Sequence, residues 1–355
     1  MYTRIAAALL ATSLLFACGE DEEVGAAFDD RQIVVDYADK VVIPTYELLA
    51  DRLAALSTSV ETLAGETTPA NLAAAQQAWI AARVPWEQSE AFLFGPVDFN
   101  GYDPALDSWP VSRNDLDAVL ASDNEFTPAF IASLQETQKG FHTVEYLLFG
   151  DNHAKSADQL TARELDYMKA IARELADVAG ELAASWTTPN GGQRAYRDIF
   201  VNAGAGNSAY PSLSAAVQEI LDGMIGICDE VANGKIADPY DAHDTTLVES
   251  QFAWNSIADF QDNLRSVQNA WLGGVPLAGT SGRGLSDWVA SVDADLDARV
   301  KAEIEAAIEA IGAIPGPFRD AINDPAAYPA IENAQQRIRK LQTTLEEQVV
   351  PLVLR

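Results

Sequence analysis

Apolar residues recur every three or four positions through most of this 355-residue chain, the spacing that puts them on one face of an α-helix. The stretch 302–309, AEIEAAIE, adds residues with a strong intrinsic preference for helix. No set of segments alternates apolar and polar residues as half-buried strands do. The sequence therefore predicts an all-α fold.

Proline, glycine and capping residues divide this pattern into separate helices. Pro44 is expected to kink or restart the first helix, and Pro85 to disturb the second. Residues 187–192, TTPNGG, form the clearest linker, so we expect two antiparallel helical bundles in series, residues 31–187 and 193–355. The predicted helices cover residues 33–63, 68–94, 127–149, 156–186, 193–202, 211–233, 245–272, 284–313 and 325–350.

The first 18 residues, MYTRIAAALLATSLLFAC, have the pattern of an export signal, with a positive charge at Arg4 before an apolar run. The end of this segment, Leu-Phe-Ala-Cys, resembles a bacterial lipobox, which implies cleavage before Cys18 and a lipid on its thiol. The alternative is an ordinary signal peptide that happens to contain a cysteine. Residues 19–30 begin with four acidic residues after Gly19 and are predicted to form a solvated tether.

The expected location is the bacterial cell envelope, with the protein facing the periplasm or the cell surface. No later stretch approaches 18 uninterrupted apolar residues, so we expect membrane contact only through the lipid anchor. Gly19 stands where aspartate would signal inner-membrane retention, and by resemblance to lipoprotein sorting this favours the outer membrane.

The charge balance limits the classes of partner. The chain has 23 Lys and Arg against 53 Asp and Glu, a formal net charge of −30. Nucleic acid is excluded as a partner, because phosphate binding needs concentrated Lys and Arg. Cations and basic peptides remain possible partners, and the alternative is that the acidic faces only keep the protein soluble.

His142 and Glu145 are three residues apart, so they share one helix face, and their neighbours Val144, Leu147 and Leu148 are apolar. A histidine and a carboxylate in apolar surroundings need a partner, because burying them unpaired costs free energy. They are either metal ligands or a simple His–Glu pair that joins two helices.

Glu87 and Glu90 form a second pair at the same spacing, beside Trp86 and Phe92. If their helix packs against the helix of His142, one imidazole and three carboxylates converge, which is how helical bundles build iron sites. The alternative is that Arg83 or Arg113 neutralises the two glutamates.

A polar stripe in the second half either faces this site across a cleft or is simply solvated. The further candidates for such a cleft are Arg83, Ser89, Ser256, Asp259, Asp262 and Asn263.

The motif Gly140-x-His142-x-x-Glu145, followed by YLLFG, resembles the signature of the imelysin family, which is also classed among the peptidases. Segments 86–96, 107–110 and 255–273 are similar to other blocks of that family. The resemblance implies a two-domain all-helical fold, an exported or lipid-anchored protein and a link to iron acquisition. The chain is also similar to the imelysin-like domain of periplasmic components of ferrous-iron uptake.

Two classes of function follow from these observations. The first is an envelope protein that binds a divalent or ferric metal ion, iron or zinc, and assists an envelope iron-transport component. The second is a metallopeptidase that uses His142 and Glu145, with Glu145 as its catalytic residue. The sequence has no His-Glu-x-x-His run, and only two of the three protein ligands of a catalytic zinc are placed by spacing. A binder of some other ligand in the interdomain cleft is a further alternative.

Replacement of Cys18 by Ser is expected to release the protein from the membrane or to stall its processing, because the lipid chains supply the membrane affinity. Fractionation of cells that express the wild type and the variant measures this. A Cys18→Ser protein that matures normally and stays in the membrane fraction would contradict the lipobox interpretation.

Overall fold

The computed structural model describes residues 28–189, 192, 194–204 and 206–354. The predicted export signal, Cys18 and residues 19–27 of the predicted tether lie outside the described residues. Within residues 28–30 of that tether, Phe28 is buried against Trp288, with 5.4 Å between the ring centroids. The packed part of the chain therefore includes residues before the first helix.

The described residues form eighteen α-helices with short 3₁₀ or π-helical turns between some of them, and no strand occurs among them, so the predicted all-α class is confirmed. The helices are α1 Arg31–Asp36, α2 Ile43–Gly65, α3 Pro69–Glu87, α4 Pro96–Phe99, α5 Tyr102–Asp107, α6 Arg113–Ala121, α7 Pro128–Ala132, α8 Gly140–Phe149, α9 Ala162–Thr187, α10 Tyr196–Val201, α11 Leu213–Glu230, α12 Ala237–Ala242, α13 Ser256–Leu272, α14 Leu285–Val292, α15 Ala294–Gly312, α16 Phe318–Ala321, α17 Tyr328–Thr344 and α18 Val350–Val353.

The long helices pack in two groups of four. In the first half, α2 lies against α3 and α9, and α8 packs on α3 and α9. In the second half, α15 lies against α13 and α17, and α11 packs on the same two helices. Buried residues of both halves belong to one hydrophobic cluster, so the division into domains at residues 187–193 stays a prediction.

The two halves meet where α3 and the 3₁₀ turn Glu90–Phe92 pack against α11 and α13. The backbone N–H of Ala91 donates to Ser266 Oγ on α13 at 3.1 Å. Gly223 on α11 lies so close to this turn that a Cβ there would be 2.1 Å from the carbonyl oxygen of Ala91. We call this region the junction. Its close packing depends on the absence of a side chain at Gly223.

Two predicted helices are interrupted near the junction. The helix predicted over 127–149 is divided into α7 and α8, because Gly140 begins α8 with φ +82° and its missing Cβ leaves room for the carbonyl of Leu106. The helix predicted over 245–272 begins only at Ser256. Ser250 and Trp254 have φ of 51° and 59°, left-handed values that no continuing α-helix contains.

The other differences are local. α3 ends at Glu87 rather than near residue 94, two residues after Pro85, which cannot donate to the helical hydrogen-bond ladder. The helix predicted over 284–313 is two helices, because Asp293 leaves helical geometry and its side chain caps α15. A π-helical turn, Tyr37–Val42, precedes Pro44, where the sequence predicts a kink or restart. No helix among the described residues is long and apolar enough to cross a membrane.

Gly223→Ala is expected to destabilise the protein by about 1–3 kcal/mol, because the added methyl overpacks the junction. Gly226, one turn along α11, has open space around it and is exposed, so Gly226→Ala is the matched control. That variant is expected to gain about 0.5–1 kcal/mol from helix propensity. Denaturant unfolding of both variants measures this, and equal effects on the unfolding free energy would contradict the close packing described here.

Candidate functional site

A cluster of ionisable side chains is buried at the junction, each at most 7% exposed. Both halves of the chain contribute to it, through helices α3, α5, α8 and α13 and through the turns beside them. Its members are Arg83, Glu87, Glu90, Asp107, His142, Glu145, Lys235, Glu249 and Asp259.

Arg83 lies at the centre of the cluster and is completely buried. Its guanidinium donates to Asp107 Oδ1 at 2.5 Å and to Glu249 Oε1 at 2.7 Å, and it also pairs with Glu87 one turn along α3. Asp259 Oδ1 lies 3.6 Å from its Nε. One cation thus holds carboxylates that belong to separate elements of both halves.

Lys235 supplies the second positive charge, from the end of the π-helical turn Val231–Lys235. Its Nζ lies 3.1 Å from Glu249 Oε2, 3.6 Å from Glu90 Oε1 and 3.8 Å from Glu87 Oε2. The ammonium also faces the ring of Trp109, with 5.3 Å to the ring centroid. Lys235 therefore faces the second oxygens of Glu87 and Glu249, whose first oxygens pair with Arg83, and it also faces Glu90.

The imidazole of His142 is held from one side. Its Nδ1 lies 2.8 Å from Glu145 Oε2, and Glu145 Oε1 accepts the backbone N–H groups of Phe252 and Ala253, both at 2.8 Å. Since a carboxylate accepts at Nδ1, the proton of a neutral ring stays on Nδ1 and the lone pair is on Nε2. The loop before α13 thus fixes the tautomer through Glu145.

The other ring nitrogen of His142 points into the cluster. Nε2 is buried and lies 3.0 Å from Asp107 Oδ1, with which the protonated ring forms an ion pair, and it has no other ion-pair or hydrogen-bond partner among the described residues. Asp107 itself accepts from Trp86 Nε1 at 2.5 Å through its second oxygen. When the ring loses the proton on Nε2, this nitrogen offers a buried lone pair beside a fixed carboxylate, which is the arrangement that a metal ion uses.

Burial and charge oppose each other in this site. Burial lowers the pKa of His142, but the carboxylates of Asp107 and Glu145 outweigh it and raise that pKa to about 9. For Asp107, burial raises the pKa, yet Arg83 and His142 hold it well below its usual range. Burial raises the pKa of Glu87 and Glu90 well above the ordinary value, despite the nearby cations.

Among the described residues, the cluster contains more carboxylates than permanent cations. Arg83 and Lys235 face five buried carboxylates, and burial raises the pKa of one of these, Asp259, to about 6. The remaining negative charge needs either protons or an added cation, because unpaired charge in a low-dielectric interior costs free energy. Burial raises the pKa of Glu87 and Glu90, which favours protons at these carboxyls when no metal is bound.

Among the described residues, two sets of three side chains place possible metal ligands within 4.8 Å of one another. The first is Asp107, His142 and Glu249, and the second is Glu87, Glu90 and Asp107. The residues of the first set fit a metal ion, because they combine an imidazole nitrogen that points into the cluster with two carboxylates.

Solvent reaches the cluster through a cavity of about 220 Å³. Glu90, Asp107 and Lys235 line its inner wall, and Asp103, Trp109 and Glu230 are among its other lining residues. A second crevice, of only about 10 Å³, reaches His142 and Glu145 between Trp109 and Phe252. The site is thus accessible to a small cation.

A family model for imelysin matches residues 42–345. The chain belongs to the imelysin family. It is 33% identical over 341 residues to Iron-regulated protein A of Synechococcus elongatus. The aligned part covers 96% of this chain and 90% of that protein.

Solved imelysin structures share the fold. A crystal structure described as an iron-regulated protein A precursor from Parabacteroides distasonis is 29% identical, with a TM-score of 0.84 over 94% of this chain and 97% of that one. An imelysin-like protein from Psychrobacter arcticus is 13% identical, with a TM-score of 0.74 over 92% and 98% of the two chains, and supports the fold alone.

The residues predicted as metal ligands from their helical spacing lie in one cluster, but their contacts differ. His142, Glu87 and Glu90 belong to the two possible ligand sets, whereas Glu145 belongs to neither. Both oxygens of Glu145 accept hydrogen bonds. Arg83 pairs with Glu87, as the alternative interpretation proposed. Arg113 instead pairs with Asp151 on an exposed part of the surface.

The other predicted cleft residues are at the junction as well, mostly in supporting positions. Asn263 donates to Glu87 Oε2 at 2.5 Å, and Ser256 donates to the carbonyl of Glu249 at 2.5 Å. Asp262 accepts from Gln88 at 2.8 Å and is not part of the cluster described above. Ser89 donates to the carbonyl of Trp86 at 2.6 Å, which closes the end of α3.

Sequence reasoning missed Asp107, Glu249 and Lys235 as site residues. Asp107 is in the DSWP block that resembles the imelysin family, and this was the available signal. Glu249 lies within a segment that has a helical pattern, and Lys235 lies just beyond the helix predicted over 211–233, so neither position had a signal of its own.

A pH dependence of stability is expected in the metal-free protein. The pKa of His142 is raised to about 9 in the folded state, so its stabilising charge is fully present below about 6.5 and is lost as the pH rises through 9. The difference in unfolding free energy between the wild type and His142→Gln should shrink by about 3 kcal/mol over this range.

Denaturant unfolding with chelator present, at pH 6 and at pH 9.5, measures this difference. His243 donates from Nδ1 to the carbonyl of Ile322, away from the cluster, so His243→Gln is the control. A difference between wild type and His142→Gln that stays constant with pH would show that His142 is not charged in the folded protein.

Proposed function

We propose that this chain is a lipid-anchored protein of the bacterial envelope that binds a metal ion, iron in the first place, at the junction and assists iron uptake. The observation that supports this most is the buried Nε2 of His142, which has no hydrogen-bond partner while Glu145 fixes the ring. Asp107 and Glu249 would complete the ligand set, and the metal is the cargo of the protein.

The ligand chemistry supports a first-row metal. One imidazole and two carboxylates suit iron, manganese or zinc, whereas thiolate-seeking metals find no sulfur ligand in this set. The excess of buried carboxylates favours an ion of charge two or three. Two relatives have names that call them iron-regulated, which supports iron over zinc as the cargo.

The metallopeptidase alternative has less support from the geometry. A peptidase needs a carboxylate that is free to act as a base, and both oxygens of Glu145 are engaged. The crevice to His142 is about 10 Å³ and the acidic cavity about 220 Å³, below the roughly 300–1,000 Å³ of ordinary ligand pockets. A metal ion with some of its waters fits these dimensions, and a peptide does not.

Metal titration of the purified protein tests the proposal. The wild type is expected to bind Fe²⁺ under anaerobic conditions, and Zn²⁺ as a redox-inert probe, while His142→Ala loses most of this binding. Glu145→Gln is expected to weaken binding by about 10–100-fold, because it disturbs a partner of the ligand rather than a ligand. His153→Ala is the matched control, since His153 is exposed and stacks on Trp254.

Calorimetry and metal analysis after dialysis measure these affinities. Unchanged affinity in His142→Ala, or no metal bound by the wild type, would contradict the proposed function. Incubation with a peptide library, with and without chelator, decides the alternative. Chelator-sensitive cleavage that disappears in Glu145→Gln would favour the peptidase.

A further inference from the structure

Lys235 is the component of the cluster that the proposed function leaves unexplained. A lysine ammonium is costly to bury, and Lys235 is only 2% exposed. Four carboxylates lie within 3.8 Å of its Nζ, those of Glu249, Glu90, Glu87 and Glu230. Such a shell of oxygens around one point of positive charge is what a bound metal ion also requires.

The position of this ammonium overlaps the second ligand set. Glu87 and Glu90 contact Lys235 Nζ and are also two of the three members of the set Glu87, Glu90 and Asp107. Asp107 is shared with the first set, which contains His142 and Glu249. The cluster therefore provides two neighbouring cation positions that share one carboxylate, and the side chain of Lys235 lies at one of them.

Lys235 also stands between the cavity and the interior of the cluster. It lines the cavity of about 220 Å³ together with Glu90 and Asp107, whereas Glu87 and Glu249 are not part of that lining. The buried Glu249 Oε2 has no hydrogen-bond partner, although Lys235 Nζ is only 3.1 Å away. This oxygen is thus held by charge alone and could serve as a ligand.

We propose that the ammonium of Lys235 is a tethered cation that fills the second of two metal positions, so that the site takes one metal ion where it would otherwise take two. This inference rests on the proposed function, because it assumes that the first position binds a metal. Lys235 thus sets the number of metal ions that the site holds. Neither the family signature nor the ligand set identifies this residue.

The local backbone supports a specific role for this lysine. Lys235 ends a π-helical turn, Val231–Lys235, that follows α11. Such turns are frequent at functional sites, because they shift side chains relative to a regular helix. At the same time Trp109 faces the ammonium with its ring, which favours a cation at this point over a neutral group.

The number of metal ions per chain is the direct readout, measured with Fe²⁺ under anaerobic conditions and with Zn²⁺ by native mass spectrometry and calorimetry. The wild type is expected to bind one ion at the junction and Lys235→Gln to bind two. Lys235→Arg keeps the positive charge and is expected to bind one. Lys139, the other buried lysine among the described residues, pairs with Glu136 and Glu174, so Lys139→Gln is the matched control and is also expected to bind one.

Glu90 separates the two positions, because it belongs only to the second ligand set. Glu90→Gln added to Lys235→Gln should return the count from two to one. If Lys235→Gln does not fold, Lys235→Gln with Glu230→Gln replaces it, since Glu230 is the half-exposed member of the carboxylate shell and its removal reduces the uncompensated charge.

The outcomes distinguish this inference from the proposed function. A wild type that binds no metal overturns the proposed function and this inference with it. A wild type that binds one ion, with Lys235→Gln also binding one or none, overturns only the inference about Lys235. Two ions in Lys235→Arg would overturn it as well, because the positive charge is then not what excludes the second ion.

Discussion

The buried guanidinium of Arg83 is the interaction on which the junction depends. It contacts Glu87 and Asp107 from the first half and Glu249 and Asp259 from the second, so one charge joins elements up to 176 positions apart in the chain. Buried ion pairs stabilise a fold weakly, because desolvation consumes most of the Coulomb gain, but removing one partner costs about 3–5 kcal/mol. The ion pairs of Arg83 therefore fix the positions of these four carboxylates.

Glu145 supplies a second constraint, on the orientation of His142 and of the loop before α13. Its side chain accepts two backbone N–H groups of the loop before α13 and the Nδ1 proton of His142. The left-handed residues Ser250 and Trp254 turn that loop so that its N–H groups face the carboxylate. Glu145 of the imelysin signature therefore orients His142 and the loop, and in the proposed metal site Asp107 and Glu249 would supply the carboxylates.

The fold class and the core of the site could be predicted from the sequence, since helical periodicity and the i, i+3 pairs of His142–Glu145 and Glu87–Glu90 are local patterns. The partners of these pairs could not. Arg83 and Glu249 are 166 positions apart, and only tertiary packing brings them together. Helical periodicity continues through the segment that contains Glu249, so the interruption of the helix there has no local signal. The different contacts of His142 and Glu145 could not be predicted either. Their spacing shows that they share a helix face, but not that both oxygens of Glu145 accept hydrogen bonds.

The central claim is that Nε2 of His142, with Asp107 and Glu249, holds a metal ion at the junction. Crystals of the protein soaked with Zn²⁺, measured on both sides of the zinc absorption edge, test it most directly. The account predicts an anomalous peak about 2.0–2.1 Å from His142 Nε2 and within bonding distance of a carboxylate oxygen of Asp107 or Glu249. An occupied zinc site elsewhere on the protein, with no peak beside His142, would contradict it.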